Sequence, residues 1–307
     1  NTAAAPVARA RTPATRASAS VASTDPAKIP ALAIDVDDLR IGAAQLGSAR
    51  LRSHPTAAGL VLDQFSARGR AHRLEASGEW FGRGAAARTR IAAVIDNQDF
   101  GALLEGFGFG GRLGGGKGNA RLDAAWPAAP ADVSVASLQG TLALDARDGR
   151  LLEINPGAGR VLGLLSLAEL PRRLTLDFRD FFDKGFSFNQ LGGNIRFAGG
   201  LARSDDLAIK GPAAEIRIRG AANLRTQTFD QTIEVRPRSG NLLTAVGAIA
   251  GGPVGAAIGA AASAVMAKPF AHFGAKTYRV SGPWSEPKVE VMTRDQTRAV
   301  AAEAPAG

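Results

Sequence analysis

Residues 185–220 read GFSFNQLGGNIRFAGGLARSDDLAIKGPAAEIRIRG, and the alternation inside this stretch decides the fold class. Phe186 and Phe188, Ile195 and Phe197, Leu207 and Ile209, and Ile216 and Ile218 each flank one polar or small residue. An apolar side chain at every second position gives an extended chain one oily side and one wet side. Between the runs stand Gly192-Gly193, Gly199-Gly200, Asp205-Asp206 and Gly211-Pro212, residue pairs suited to turns. Links this short join antiparallel neighbours only, because a parallel crossover needs about a dozen residues or more. The stretch therefore predicts strands at 185–188, 194–197, 207–210 and 215–220, laid side by side as a meander.

The same period runs outward in both directions. ALAIDV at 31–36 offers Leu32, Ile34 and Val36; GTLALDA at 140–146 offers Leu142 and Leu144; RLTLDF at 173–178 offers Leu174, Leu176 and Phe178; QTIEVRP at 231–237 offers Ile233 and Val235. AARTRIAAVI at 86–95 and NARLDAAW at 119–126 read as further strands. Helical candidates are few: Asp99 to Gly106, Gly157 to Leu170 stopped by Pro171, and two arms at 241–251 and 253–267. A long sheet with one apolar face and little helix to cover it must close, pair with another sheet, or leave an apolar groove. The expected class is mainly β: a long antiparallel meander curled into an apolar groove, with a few short helices and a C-terminal Gly/Ala-rich helical hairpin. The residues just named are its candidate lining, and ordinary sandwich core is the other reading of the same positions.

The hairpin expectation comes from Asn241 to Ala267, NLLTAVGAIAGGPVGAAIGAAASAVMA, which is 27 residues without a charge. Its length would span a bilayer. Its composition argues otherwise: ten Ala, five Gly, and Pro253 in the middle, where it breaks a helix. Gly247, Gly251, Gly255 and Gly259 recur every four residues, a spacing that lets helices approach closely in lipid. Together with Gly252 and Pro253 at the bend, they mark a hairpin that either enters a membrane or caps the end of the sheet.

The whole chain of 307 residues has a formal net charge of +9, carried mostly by arginine, 30 against 7 lysines, and spread without a run. Diffuse charge argues against a dedicated nucleic-acid patch but suits anionic headgroups. Cysteine is absent, which excludes disulfides and thiol chemistry. Residues 1–28 hold Ala, Thr, Ser, Pro and Arg without aromatic, Leu or Ile and read as a disordered linker, as do residues 293–307. Between them lie a first β segment at 29–155 and a second at 156–292 that includes the apolar hairpin, 241–268. No leader pattern is visible, and the chain reads as a fragment or a processed piece.

Motifs with catalytic meaning fail on inspection. GRLGGGKG at 111–118 matches a phosphate-cradling loop until Gly118 stands where a Ser or Thr is required, and a glycine-rich hairpin turn is the better reading. Asp177, Asp180 and Asp183 are spaced by three, but on a strand and its turn rather than on one helix face. His54, His72 and His272 lack carboxylates at any ligand spacing. The chain is expected to be no enzyme and to need no cofactor or metal.

The segment GRVLGLLSLAELPRRLTLDFRDFFDKGFSFNQLGGNIRFAGG from 160 onward, then QTIEVRPRSG, AIAGGPVGAA and YRVSGPW, resembles the C-terminal region of the YhdP group of AsmA-like proteins of Gram-negative envelopes. IPALAIDVDDLRIG and DNQDFGALLEGFGF resemble the part preceding it, so the likeness runs over about 29–292. The resemblance implies an elongated β-groove in the periplasm, within a protein held in the inner membrane by an N-terminal helix absent here. It implies phospholipids as cargo moving between inner and outer membranes, possible envelope protein partners, and no catalytic motif. The competing expectation is a structural or assembly factor of the envelope with a closed β core, binding a protein through the hairpin.

Overall fold

The computed structural model describes residues 24–152, 186–238, 275–293 and 296. They form one antiparallel sheet of 13 strands in strict sequence order, and it is not closed. The strands are β1 (Leu32–Ile41), β2 (Ala44–Pro55), β3 (Gly59–Arg68), β4 (His72–Phe81), β5 (Arg88–Asn97), β6 (Leu113–Trp126) and β7 (Gln139–Leu151). They continue with β8 (Phe186–Ala198), β9 (Leu201–Lys210), β10 (Ala214–Asn223), β11 (Thr228–Pro237), β12 (Lys276–Pro283) and β13 (Lys288–Val291). The mainly β, antiparallel expectation holds. Residues 241–268 and the candidate helix at 157–170 lie outside the described residues.

Three details correct the sequence reading. The expected strands at 185–188 and 194–197 are one strand, β8, and Gly192-Gly193 is no turn. Gly193 is there for close approach: at φ +148° it lets β9 in so tightly that a Cβ would sit 2.6 Å from Leu207 Cα. Asp205-Asp206 likewise lies within β9, where Asp206 accepts bonds from the Asn194 backbone N and side-chain Nδ2 across the ladder. The supposed glycine turn at 111–118 is mostly the start of β6, with Gly114 opposite Arg150 and Lys117 opposite Arg147. Glycine pairs suit tight interstrand packing as well as turns, and local sequence does not separate the two.

The expected helix at 99–106 is present as α1 (Phe100–Gly106). Asp99 is its N-cap, its carboxylate accepting from Ala102 N at 2.9 Å. The helix lies at one rim of the sheet, where Phe100 is buried and Ala43 N donates to Gly106 O. At the far rim a 3-10 turn, Pro26–Lys28, packs on β2 to β4 with Pro26 fully buried.

Candidate functional site

Strand registers align the apolar side chains across the sheet. One row runs Ile34, Leu51, Phe65, Ala76, Ala93, Leu122, Leu142, Ile195, each directly opposite the next, from β1 to β8. Seven strand steps of roughly 4.8 Å make this row about 34 Å long. A parallel row begins at Val36 and passes through Ala49, Ala67, Leu74, Ile95, Ala120 and Leu144. Further along, Leu191, Ile209, Ile216 and Val235 stand opposite one another across β8 to β11, as do Leu207, Ile218, Ile233 and Tyr278 from β9 to β12. The result is a single apolar face on which every described lining candidate sits.

The face has two characters. On β8 to β11 the candidates are sealed: Phe186, Phe188, Ile195, Phe197, Leu207, Ile209, Ile216, Ile218, Ile233 and Val235 are all between 1% and 7% exposed. On β1 and β7 they are open, with Leu32, Val36, Leu142 and Leu144 half-buried and Ile34 43% exposed. Leu174, Leu176 and Phe178 lie outside the described residues, as do Gly247, Gly251, Gly252, Pro253, Gly255 and Gly259. The sequence reading missed the middle of the open part, namely Leu51, Phe65, Leu74, Ile91, Ile95 and Leu122, all half-buried on the same face. Period-two alternation was present there, but Ala and Gly fill half the inward positions (Ala76, Gly78, Ala93, Ala120, Ala124), which weakens the signal.

The opposite face is polar. Arg52 and Arg50 pair with Asp35, Arg90 with Asp123, Arg279 with Asp230. On β10, Glu215 accepts from Arg217 Nε at 2.9 Å, and that bond holds its carboxyl below the usual range. A depression of about 350 Å³ on this face is lined by Arg121, Asp145, Gln190, Asp206 and Lys210. Its carboxylates are engaged, Asp206 by Asn194 and the Ser204 hydroxyl and Asp145 by Arg147.

One histidine corrects the sequence reading. His54 has a carboxylate partner after all, its Nδ1 lying 2.8 Å from Asp63 Oδ2. A bulge in β3 brings the two onto the same exposed surface, a diagonal contact that residue spacing does not reveal. His72 Nε2 lies 3.2 Å from Leu46 O, and His272 is outside the described residues. Among the described residues no three His, Cys, Asp or Glu gather to hold a metal. No described helix is long and apolar enough to cross a membrane.

A family profile described as "YhdP protein" matches residues 6–289. The "Intermembrane phospholipid transporter YhdP" of Escherichia coli (strain K12) is 30% identical over 223 residues, which cover 72% of this chain and 18% of that protein. The chain therefore corresponds to less than a fifth of its relative's length. No solved structure gives a significant match. The profile covers nearly the whole chain, and the chain belongs to the YhdP protein family.

Proposed function

We propose that the protein moves phospholipid between the membranes of a Gram-negative envelope without catalysing a reaction. Acyl chains slide along the apolar face of β1 to β7, which acts as an open trough in the periplasm, while the polar face meets water. The observation that carries this is the uninterrupted apolar row from Ile34 to Ile195, whose side chains over the first seven strands are exposed at Ile34 and half-buried from Leu51 to Leu142. A hydrocarbon tail in water costs about 0.8 kcal/mol per exposed methylene, so a carrier must offer apolar surface without gaps. Adjacent strands supply that continuity, because alternate residues of every strand share one side.

Small residues make room for the guest. Ala76 and Ala93 stand between Phe65 and Leu122 in the row, leaving a shallow floor between larger walls. At β8 to β12 the protein's own side chains fill the face, so the trough ends there. The stretch 241–268, uncharged as far as Ala267, then serves as the membrane-facing or capping hairpin of that end. An N-terminal helix of the longer polypeptide anchors the assembly in the inner membrane.

Native mass spectrometry of the purified chain tests the reading. Phospholipid should co-purify and be lost when the trough is filled by Ala93→Trp; a lipid-free protein would refute it. The sealed core of β8 to β12 favours the second reading, an envelope assembly factor that binds protein through 241–268, and that reading predicts no bound lipid at all. Gly255→Asp should abolish membrane association if the hairpin inserts; undiminished association would refute insertion.

A further inference from the structure

Among the described residues, two phenylalanines are exposed, and they sit together. Phe107 is 39% and Phe109 is 37% exposed, in the Gly-rich loop that leaves α1. This loop is pinned by its backbone: Phe107 N donates to Leu103 O at 3.2 Å and Phe109 N to Leu104 O at 2.8 Å. The rings are thus presented outward by a fixed scaffold. Beside them, across the Ala43 N to Gly106 O bond of 3.1 Å, the β1–β2 turn exposes Ile41 at 48%.

Strand order fixes what else shares this rim. In a meander, alternate connections lie at the same end, so the turns 42–43, 69–71, 98–112 and 211–213 face one way. The connection from Pro237 to Lys276, which contains the charge-free 241–267, starts and finishes at that end too. A contiguous buried cluster joins Phe100 of α1 to Val235 and Tyr278 of β11 and β12, so these points belong to one continuous body. Arg70 and Arg238 are exposed at this rim. The opposite rim differs in lacking an exposed aromatic among the described residues: its exposed large apolar side chains are Val133, Val135 and Leu201, and Arg83 and Arg225 are exposed there.

We propose that the α1 rim is a bilayer-docking edge, in which Phe107, Phe109 and Ile41 enter the interface of an anionic phospholipid membrane and Arg70 and Arg238 meet its phosphates. Apolar side chains and cations presented along one rim combine partition with charge attraction, and either alone binds weakly. The proposal rests on the lipid-transport reading for its choice of partner. Docking would bring one long edge of the trough to the surface that gives or receives its cargo.

The test is flotation of the full 307-residue chain with vesicles of phosphatidylethanolamine and phosphatidylglycerol. The double variant Phe107→Ser/Phe109→Ser should bind roughly tenfold or more weakly, Arg70→Gln/Arg238→Gln should weaken binding most at low salt, and Val133→Ser/Val135→Ser should leave it unchanged. In Phe109→Trp, emission should shift to the blue on vesicle addition, and in Val133→Trp it should not. Equal vesicle binding by wild type and the phenylalanine variant, or no binding by wild type, overturns the proposal. Co-purified phospholipid in the same samples separates the two ideas: it should persist in the phenylalanine variant, and its absence from wild type would strike the trough while leaving the docking result to stand by itself.

Discussion

The sheet carries one apolar face from β1 to β12, yet its two halves spend that face differently. Strands β8 to β12 place Phe, Ile, Leu, Val and Tyr inward, and those side chains reach exposures of 1–7%. Strands β4 to β7 alternate Leu and Ile with Ala and Gly, and most of their inward positions stay half-buried. Backbone pairing is equally regular in both. Larger inward side chains accompany the sealed half and smaller ones the half-buried half, a difference in packing that strand prediction does not report.

The largest expected difference is in stability. Ile209→Ala and Ile216→Ala, each 1% exposed, should cost about 3 to 4 kcal/mol in urea unfolding, through lost burial and the cavity left behind. Leu122→Ala, half-buried in the open half, should cost about 1 kcal/mol. Equal losses would erase the distinction. Next come insertions: Ala222→Leu, at a position with no exposure, should destabilise by about 2 kcal/mol through overpacking. Ala93→Trp should leave stability within about 1 kcal/mol while displacing lipid.

Asp99→Ala removes the N-cap of α1 and should cost about 1 kcal/mol, read by thermal unfolding. The smallest effect belongs to the polar face. Glu215, its carboxyl lowered by Arg217, contributes stability that is present above the ordinary glutamate range and lost as pH falls through its depressed folded value. Glu215→Gln should therefore cost about 0.5 kcal/mol near neutral pH, with the gap to wild type closing under acid.

Much of this was legible in the sequence. Clean alternation of large apolar residues located the cores of β8 to β11, and Asp99 with its following apolar residues located α1. The strands β2 to β4 were harder, because Ala and Gly at inward positions blur the period although they still face the trough. Gly192-Gly193 and the glycines of 111–118 were assigned to turns, since a residue without a side chain marks either a bend or a close approach. The pairing of His54 with Asp63 depends on a bulge, which shifts one side chain relative to its ladder and leaves no local trace. Which half is open was not legible at all, because exposure is a property of what covers a strand.

Site-specific photocrosslinking in the envelope tests that division most directly. A crosslinker at Phe65 or Leu122 should yield phospholipid adducts, and one at Ile216 should yield contacts within the protein alone. Absence of lipid adducts at both Phe65 and Leu122, or equal lipid labelling at Ile216, would contradict an open trough on β1 to β7 that ends in a sealed core.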